Sequence, residues 1–187
     1  MERETIKDYP DFENGKPVRV PPFDVSLTAP EHGWIDLGLW TTGIAYGISL
    51  SFVFDPFVAI RQFLEGVAQG TGAVLLIHDE GHDHFIRAGE TSDAGLFRLA
   101  VWNTFRLQST GGDASALTLA FDVMTERDAF ARSFYQAIIE IWGLPDDLTF
   151  RRAWFNFDEN EDPYEDEHGL ARTLPEVRSP ALDQFLG

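Results

Sequence analysis

Residues 34–57 read WIDLGLWTTGIAYGISLSFVFDPF, and this stretch decides the fold. Ile35, Leu37 and Leu39 alternate with Trp34, Asp36 and Trp40. Successive side chains of an extended chain point to opposite faces, so this alternation marks a strand with one buried face. Thr41-Thr42-Gly43 makes a short turn. The alternation then resumes, with Ile44, Tyr46, Ile48, Leu50, Phe52 and Phe54 opposite the small residues Ala45, Gly47, Ser49 and Ser51. The two runs predict a β-hairpin. Gly38, Gly43 and Gly47 mark positions for bulges or for close approach of another backbone. Asp55-Pro56 signals a helix start, because the carboxylate accepts from the first free amides and proline has no amide to leave unpaired there. Phe57, Ile60, Leu64, Val67 and Ala68 follow at helical spacing, and Gly70 and Gly72 end the helix.

Upstream, residues 1–32 read as an irregular lead-in. Asn14-Gly15 is a turn signal, and Pro10, Pro17, Pro21, Pro22 and Pro30 resist helix. Val18 and Val20 suit a short edge strand. Downstream, AVLLIH at 73–78 reads as a central strand, Asp79-Glu80-Gly81 as a turn, and His84 to Arg87 as the return strand. Residues 96–102 and 116–123 alternate as two further strands. A second helix is expected to open at Thr125, with Thr125 and Asp128 in a capping-box arrangement. Phe130, Phe134, Ile138, Ile141 and Trp142 give it a buried stripe, and Gly143 with Pro145 closes it. The order ββαββββα with short connections predicts an α+β fold over 33–143: an antiparallel sheet of about six strands with both helices packed on one face. Residues 144–187 form an acidic, aromatic-containing C-terminal extension. Leu148, Phe150, Trp154, Phe155 and Phe157 are too apolar to float free, so it is expected to dock on the same domain, tied down at its end by Leu182, Phe185 and Leu186.

The chain has 187 residues, 44% of them hydrophobic and 24% charged, which suits one globular domain with a sizeable core. Acids outnumber bases 31 to 14, for a formal net charge of -17. Such a chain is ill-suited to the phosphate backbone of nucleic acid or to anionic membranes. The charge suits either a plain solvated acidic surface, the commoner case, or a surface whose field attracts a cationic partner protein. Residues 144–187 hold eleven acids and four bases, and Asp158–Glu167 holds seven acids and no base. There is no cysteine, which excludes disulfides and thiolate chemistry. No apolar run reaches the ~18 residues of a membrane span, and MERETIKDYPDFENGK lacks the apolar segment of a secretory signal; a cytoplasmic setting is the expectation.

The densest chemistry lies in His78-Asp79-Glu80-Gly81-His82-Asp83-His84, which gathers three of the five histidines. Imidazole and carboxylate together suit a divalent transition metal. A two-residue turn at Glu80-Gly81 puts Asp79, His82 and His84 on one face. A three-residue turn puts His78, His82 and His84 there instead. The plainer reading is a polar hairpin end, since turns favour Asp and Gly. No G-x-S-x-G or HExxH motif occurs, and Gly70-Thr71-Gly72 ends a helix rather than opening one, so no cofactor is expected from sequence motifs. Among the aromatics, Trp34, Trp40, Trp154 and Phe155 are the candidate anchors for another chain.

The run WIDLGLW…GISLSFVFDPFVAIRQFLEGVAQG…LLIHDEGHDHFIRAG resembles a loose group of small bacterial α+β proteins of uncharacterised role, over about residues 34–105. The residues that carry the likeness are Asp55-Pro56-Phe57, Phe63-Leu64, Gly70 and Asp79-Glu80-Gly81. The resemblance implies an immunity-like or accessory role and carries over no active site. The leading expectation is therefore a non-catalytic module that binds another protein, such as a basic toxin or enzyme. A metal-dependent protein using the His78–His84 hairpin is the first alternative. A homo-dimer or larger scaffold using Trp34 and Trp40 is the second.

Overall fold

A computed structural model of the chain describes residues 18–19, 22–91, 96–105, 117–142, 147–162, 164–166 and 168–186. The strands are β1 (Val18–Arg19), β2 (Phe23–Leu27), β3 (Trp34–Thr41), β4 (Ile44–Ser51), β5 (Ala73–His78), β6 (His82–Glu90), β7 (Leu96–Phe105) and β8 (Thr118–Glu126). The helices are α1 (Phe57–Ala68), α2 (Arg127–Trp142), α3 (Asp147–Phe155) and α4 (Pro180–Leu186), and a 3-10 turn spans Phe52–Phe54.

The α+β class holds, but the single sheet of about six strands with two helices does not. Two sheets form: β1-β8-β7-β6-β5, antiparallel except for β1 alongside β8, and the antiparallel β2-β3-β4. The expected hairpin is β3–β4, with Ile35 opposite Leu50 and Leu39 opposite Tyr46. Its outer neighbour is β2, from the segment expected to be irregular. Pro22 and Pro30 lie just outside the ends of β2, so they bound the strand rather than prevent it, and Phe23 and Val25 turn inward between Asp24 and Ser26. The expected edge strand at Val18 is β1; Val20 lies outside the described residues. β4 never pairs with β5. The chain turns through the 3-10 turn and α1, and β4 then passes across the larger sheet, touching the turn after β5, then β6, β7 and β8.

The second helix opens two residues later than its capping pattern suggests. Thr125 and Glu126 stay extended because Phe97 and Leu96 supply ladder partners, and α2 starts at Arg127. At α1 the signal holds: Asp55 Oδ1 accepts the Phe57 N–H at 3.0 Å.

One core fills the space between the sheets and helices. Ile35, Leu37 and Leu39 of β3, Leu75 and Ile77 of β5, Leu99 and Val101 of β7, Phe57 and Leu64 of α1, and Phe130 and Phe134 of α2 are all buried. Each such side chain contributes about 1.5–3 kcal/mol relative to exposure. The C-terminal extension belongs to this core. Trp154 is fully buried, with its ring 5.6 Å from that of Phe57, and Leu182 of α4 is buried too. Tyr135 Oη donates to Asp183 Oδ1 at 2.8 Å and accepts the Ser179 N–H, fastening α4 to α2. The acidic run is organised around Arg172, which bonds Glu161 Oε2 at 2.6 Å and the Asp162 carbonyl and lies over the Phe157 ring. Among the described residues, no helix is long and apolar enough to cross a membrane.

Candidate functional site

The histidine-rich bend is a two-residue turn. Asp79 and His82 close it, with Asp79 N–H to the His82 carbonyl at 2.9 Å and His82 N–H returning at 3.3 Å. Gly81 takes φ 149°, a conformation in which an L side chain is strained. This turn length divides the cluster between two faces. Asp79, His82 and His84 lie on the side facing β4, while His78 and Asp83 lie on the other.

On the inner side, His84 is buried and joins the two sheets. Its Nδ1 is 2.9 Å from Tyr46 Oη of β4, and Asn103 Nδ2 of β7 donates to the same oxygen at 3.2 Å. One proton arrangement satisfies these groups: Asn103 donates to Tyr46, the Tyr46 hydroxyl donates to Nδ1, and the Nε2–H of a neutral imidazole faces Asp79. Nε2 lies 3.7 Å from Asp79 Oδ2, beyond hydrogen-bond length, and among the described residues it has no hydrogen-bond partner. Burial lowers the His84 pKa from the usual imidazole value, against the opposing pull of Asp79. Burial likewise raises the Tyr46 pKa, partly offset by the Asn103 hydrogen bond.

The outer side is more open. His78 Nδ1 meets Asp83 Oδ1 at 2.7 Å, and the Phe54 ring lies 6.0 Å from the His78 ring. Beneath them the buried Ser51 donates to Glu80 Oε1 at 3.4 Å and accepts the Val53 N–H at 3.3 Å. The 3-10 turn swings the next residues out of the core, leaving Val53 57% and Phe54 41% exposed. Asp55, next along the chain, and Glu80, hydrogen-bonded to Ser51, are exposed as well. The result is an apolar corner edged with carboxylates, where the 52–54 turn meets the 79–81 turn.

Of the proposed metal ligands, Asp79, His82 and His84 thus share a face, and His78 is carried away from them. The His82 and His84 rings are 6.3 Å apart. Among the described residues, no group of three His, Cys, Asp or Glu side chains is arranged to hold a metal ion. The proposed anchors scatter. Trp40 is 49% exposed, lies over Gly38 where a Cβ would collide with the indole, and donates from Nε1 to Ser26 Oγ at 2.8 Å. Trp34 is half-buried and stands roughly 20 Å away at the other end of β3, so the two indoles form no common patch. Trp154 belongs to the core rather than the surface, and Phe155 is half-buried against Phe52.

The sequence reading missed Tyr46, Asn103, Val53 and Phe54 as site residues. Tyr46 and Asn103 are 38 and 57 positions from their partners, His84 and Tyr46, and no local pattern reports such pairings. Val53 and Phe54 had a local signal, since Ser51 before Phe-Val-Phe-Asp-Pro is able to cap a tight turn. The alternation from Ile44 to Phe54 runs straight through it and masks it.

No family model matches the chain, and no curated protein or solved structure matches it either.

Proposed function

We propose that this chain is an acidic protein-binding module that docks a cationic partner protein at the corner formed by the 52–54 and 79–81 turns. An immunity or inhibitor role against a basic toxin or enzyme is its concrete form. The observation that carries this reading is Phe54, 41% exposed with its ring 6.0 Å from that of His78, which pairs with Asp83; Asp55, next along the chain, and Glu80, hydrogen-bonded to Ser51, add exposed carboxylates. An exposed aromatic gains most by entering a partner's pocket, and surrounding charges select and steer that partner. The net charge of -17 extends the attraction beyond contact distance.

The test is an affinity series on the full chain and a partner identified by cross-linking in its native cells. Phe54→Ala is expected to weaken the complex by about tenfold or more, the scale of a lost interface anchor. Asp55→Asn with Glu80→Gln is expected to slow association and flatten its salt dependence. An affinity indifferent both to ionic strength and to Phe54→Ala overturns the reading.

A further inference from the structure

The same corner lies at the end of β5, the outermost described strand of the larger sheet, and we infer that an extended basic segment of the partner adds to that edge as a strand alongside β5. This rests on the docking function proposed above. β5 is the last strand of the larger sheet, and among the described residues no strand lies beyond it.

The register fixes which groups are available. Asp79 and His82 exchange both backbone hydrogen bonds, so the bonded pairs recur as Ile77 with His84, Leu75 with Ile86 and Ala73 with Ala88. The backbone N–H and C=O groups of Val74 and Leu76 therefore point away from β6. Their side chains stand on the outer face, where Val74 is 42% exposed.

The other edges are less suited to an added strand. The β2 edge is covered, because the Val25 N–H bonds Ser133 Oγ of α2 at 3.1 Å. β1 is two residues long. The edge of β4 presents Ala45, Gly47 and Ser49, which give an incoming strand little to pack on. β5, by contrast, reads AVLLIH, with no charge, proline or bulge to deter pairing.

Charge then selects the occupant. At its end the edge runs into the exposed Glu80 of the turn and, on the outer face, Asp83 opposite His78, while Arg87 stands opposite Val74 at the far end. A strand that alternates apolar and cationic residues pairs its backbone with Val74 and Leu76 and sets its cations on the outer face, toward Asp83 and the exposed Glu80 of the turn.

The experiment uses the full chain and a short capped peptide of alternating valine and lysine, with a valine–glutamate peptide as control. Amide hydrogen exchange is followed residue by residue. The basic peptide is expected to slow exchange at Val74 and Leu76 by at least about tenfold, and the acidic peptide to leave it unchanged. Leu76→Pro removes one outward N–H without touching the β5–β6 ladder, and Val74→Lys adds a charge that opposes the peptide. Both are expected to abolish the protection, and the second keeps the test open should the proline variant unfold. Binding without protection at Val74 and Leu76, or no binding of the basic peptide, overturns strand addition. The proposed docking function is judged separately, on the native partner and Phe54→Ala. Protection of the same amides by self-association, without peptide, assigns the edge to a second copy and also overturns the inference.

Discussion

Tyr46 of β4 and His84 of β6 meet across two sheets that share no ladder, with the phenol oxygen 2.9 Å from Nδ1. This contact makes the seam between the sheets sensitive to the charge on His84. The folded-state pKa of His84 lies below its ordinary value of about 6.5. The unfolded chain therefore binds the proton first as pH falls. The stability contributed by the neutral imidazole is complete above about pH 6.5 and is lost as pH drops toward the folded-state pKa. Urea unfolding from pH 8 down to 5 is expected to show this decline, and His84→Gln is expected to flatten it. An equal slope in both proteins would assign the decline to other groups.

Removing the Tyr46 hydroxyl tests the same seam without a charge. Tyr46→Phe leaves Asn103 Nδ2 and His84 Nδ1 without the oxygen they share. The expected cost is about 1–3 kcal/mol, the penalty for stranding buried polar groups. Asn103→Ala is expected to cost less, because the hydroxyl keeps its bond to His84. Denaturant titrations of both variants check the order.

Of the three candidate-anchor tryptophans, Trp154 and Trp40 are expected to behave oppositely. Trp154→Ala empties a fully buried site in the common core and is expected to cost about 3–5 kcal/mol. Trp40→Ala removes a half-exposed ring with one hydrogen bond, to Ser26, and is expected to cost less than about 1 kcal/mol. Equal effects on thermal unfolding would contradict the placement of α3 in the core.

The elements legible in the sequence are those set by neighbours along the chain. The β3–β4 alternation and the Asp55 cap depend on nothing distant, and the Asp55–Phe57 hydrogen bond of 3.0 Å is the one the Asp-Pro signal implies. β2 is hard to see in the sequence because the prolines around it resist helix and give the segment an irregular look, when Pro22 and Pro30 stand just outside the strand's ends. The division into two sheets has no local signature. Whether β4 pairs with β5 or crosses over it is decided by tertiary packing around α1 and by contacts such as Tyr46 with His84. The histidine cluster was visible, but its division between two faces follows from a turn length that the sequence left open.

That division yields an expectation for metal ions. His78 lies with Asp83 on the face opposite Asp79, His82 and His84, and among the described residues no three such side chains are arranged to hold an ion. Added zinc or nickel is therefore expected to leave the Tm of the full chain unchanged. A concentration-dependent rise would mean that Asp79, His82 and His84 close around the ion, and would favour a metal-dependent function.

The docking corner itself is tested most directly by a hydrogen-exchange footprint of the full chain in complex with its native partner. Slowed exchange at residues 52–55 and 79–83 is the expected result. A footprint confined to Trp40 or to residues 158–162, with 52–55 unchanged, would contradict the account.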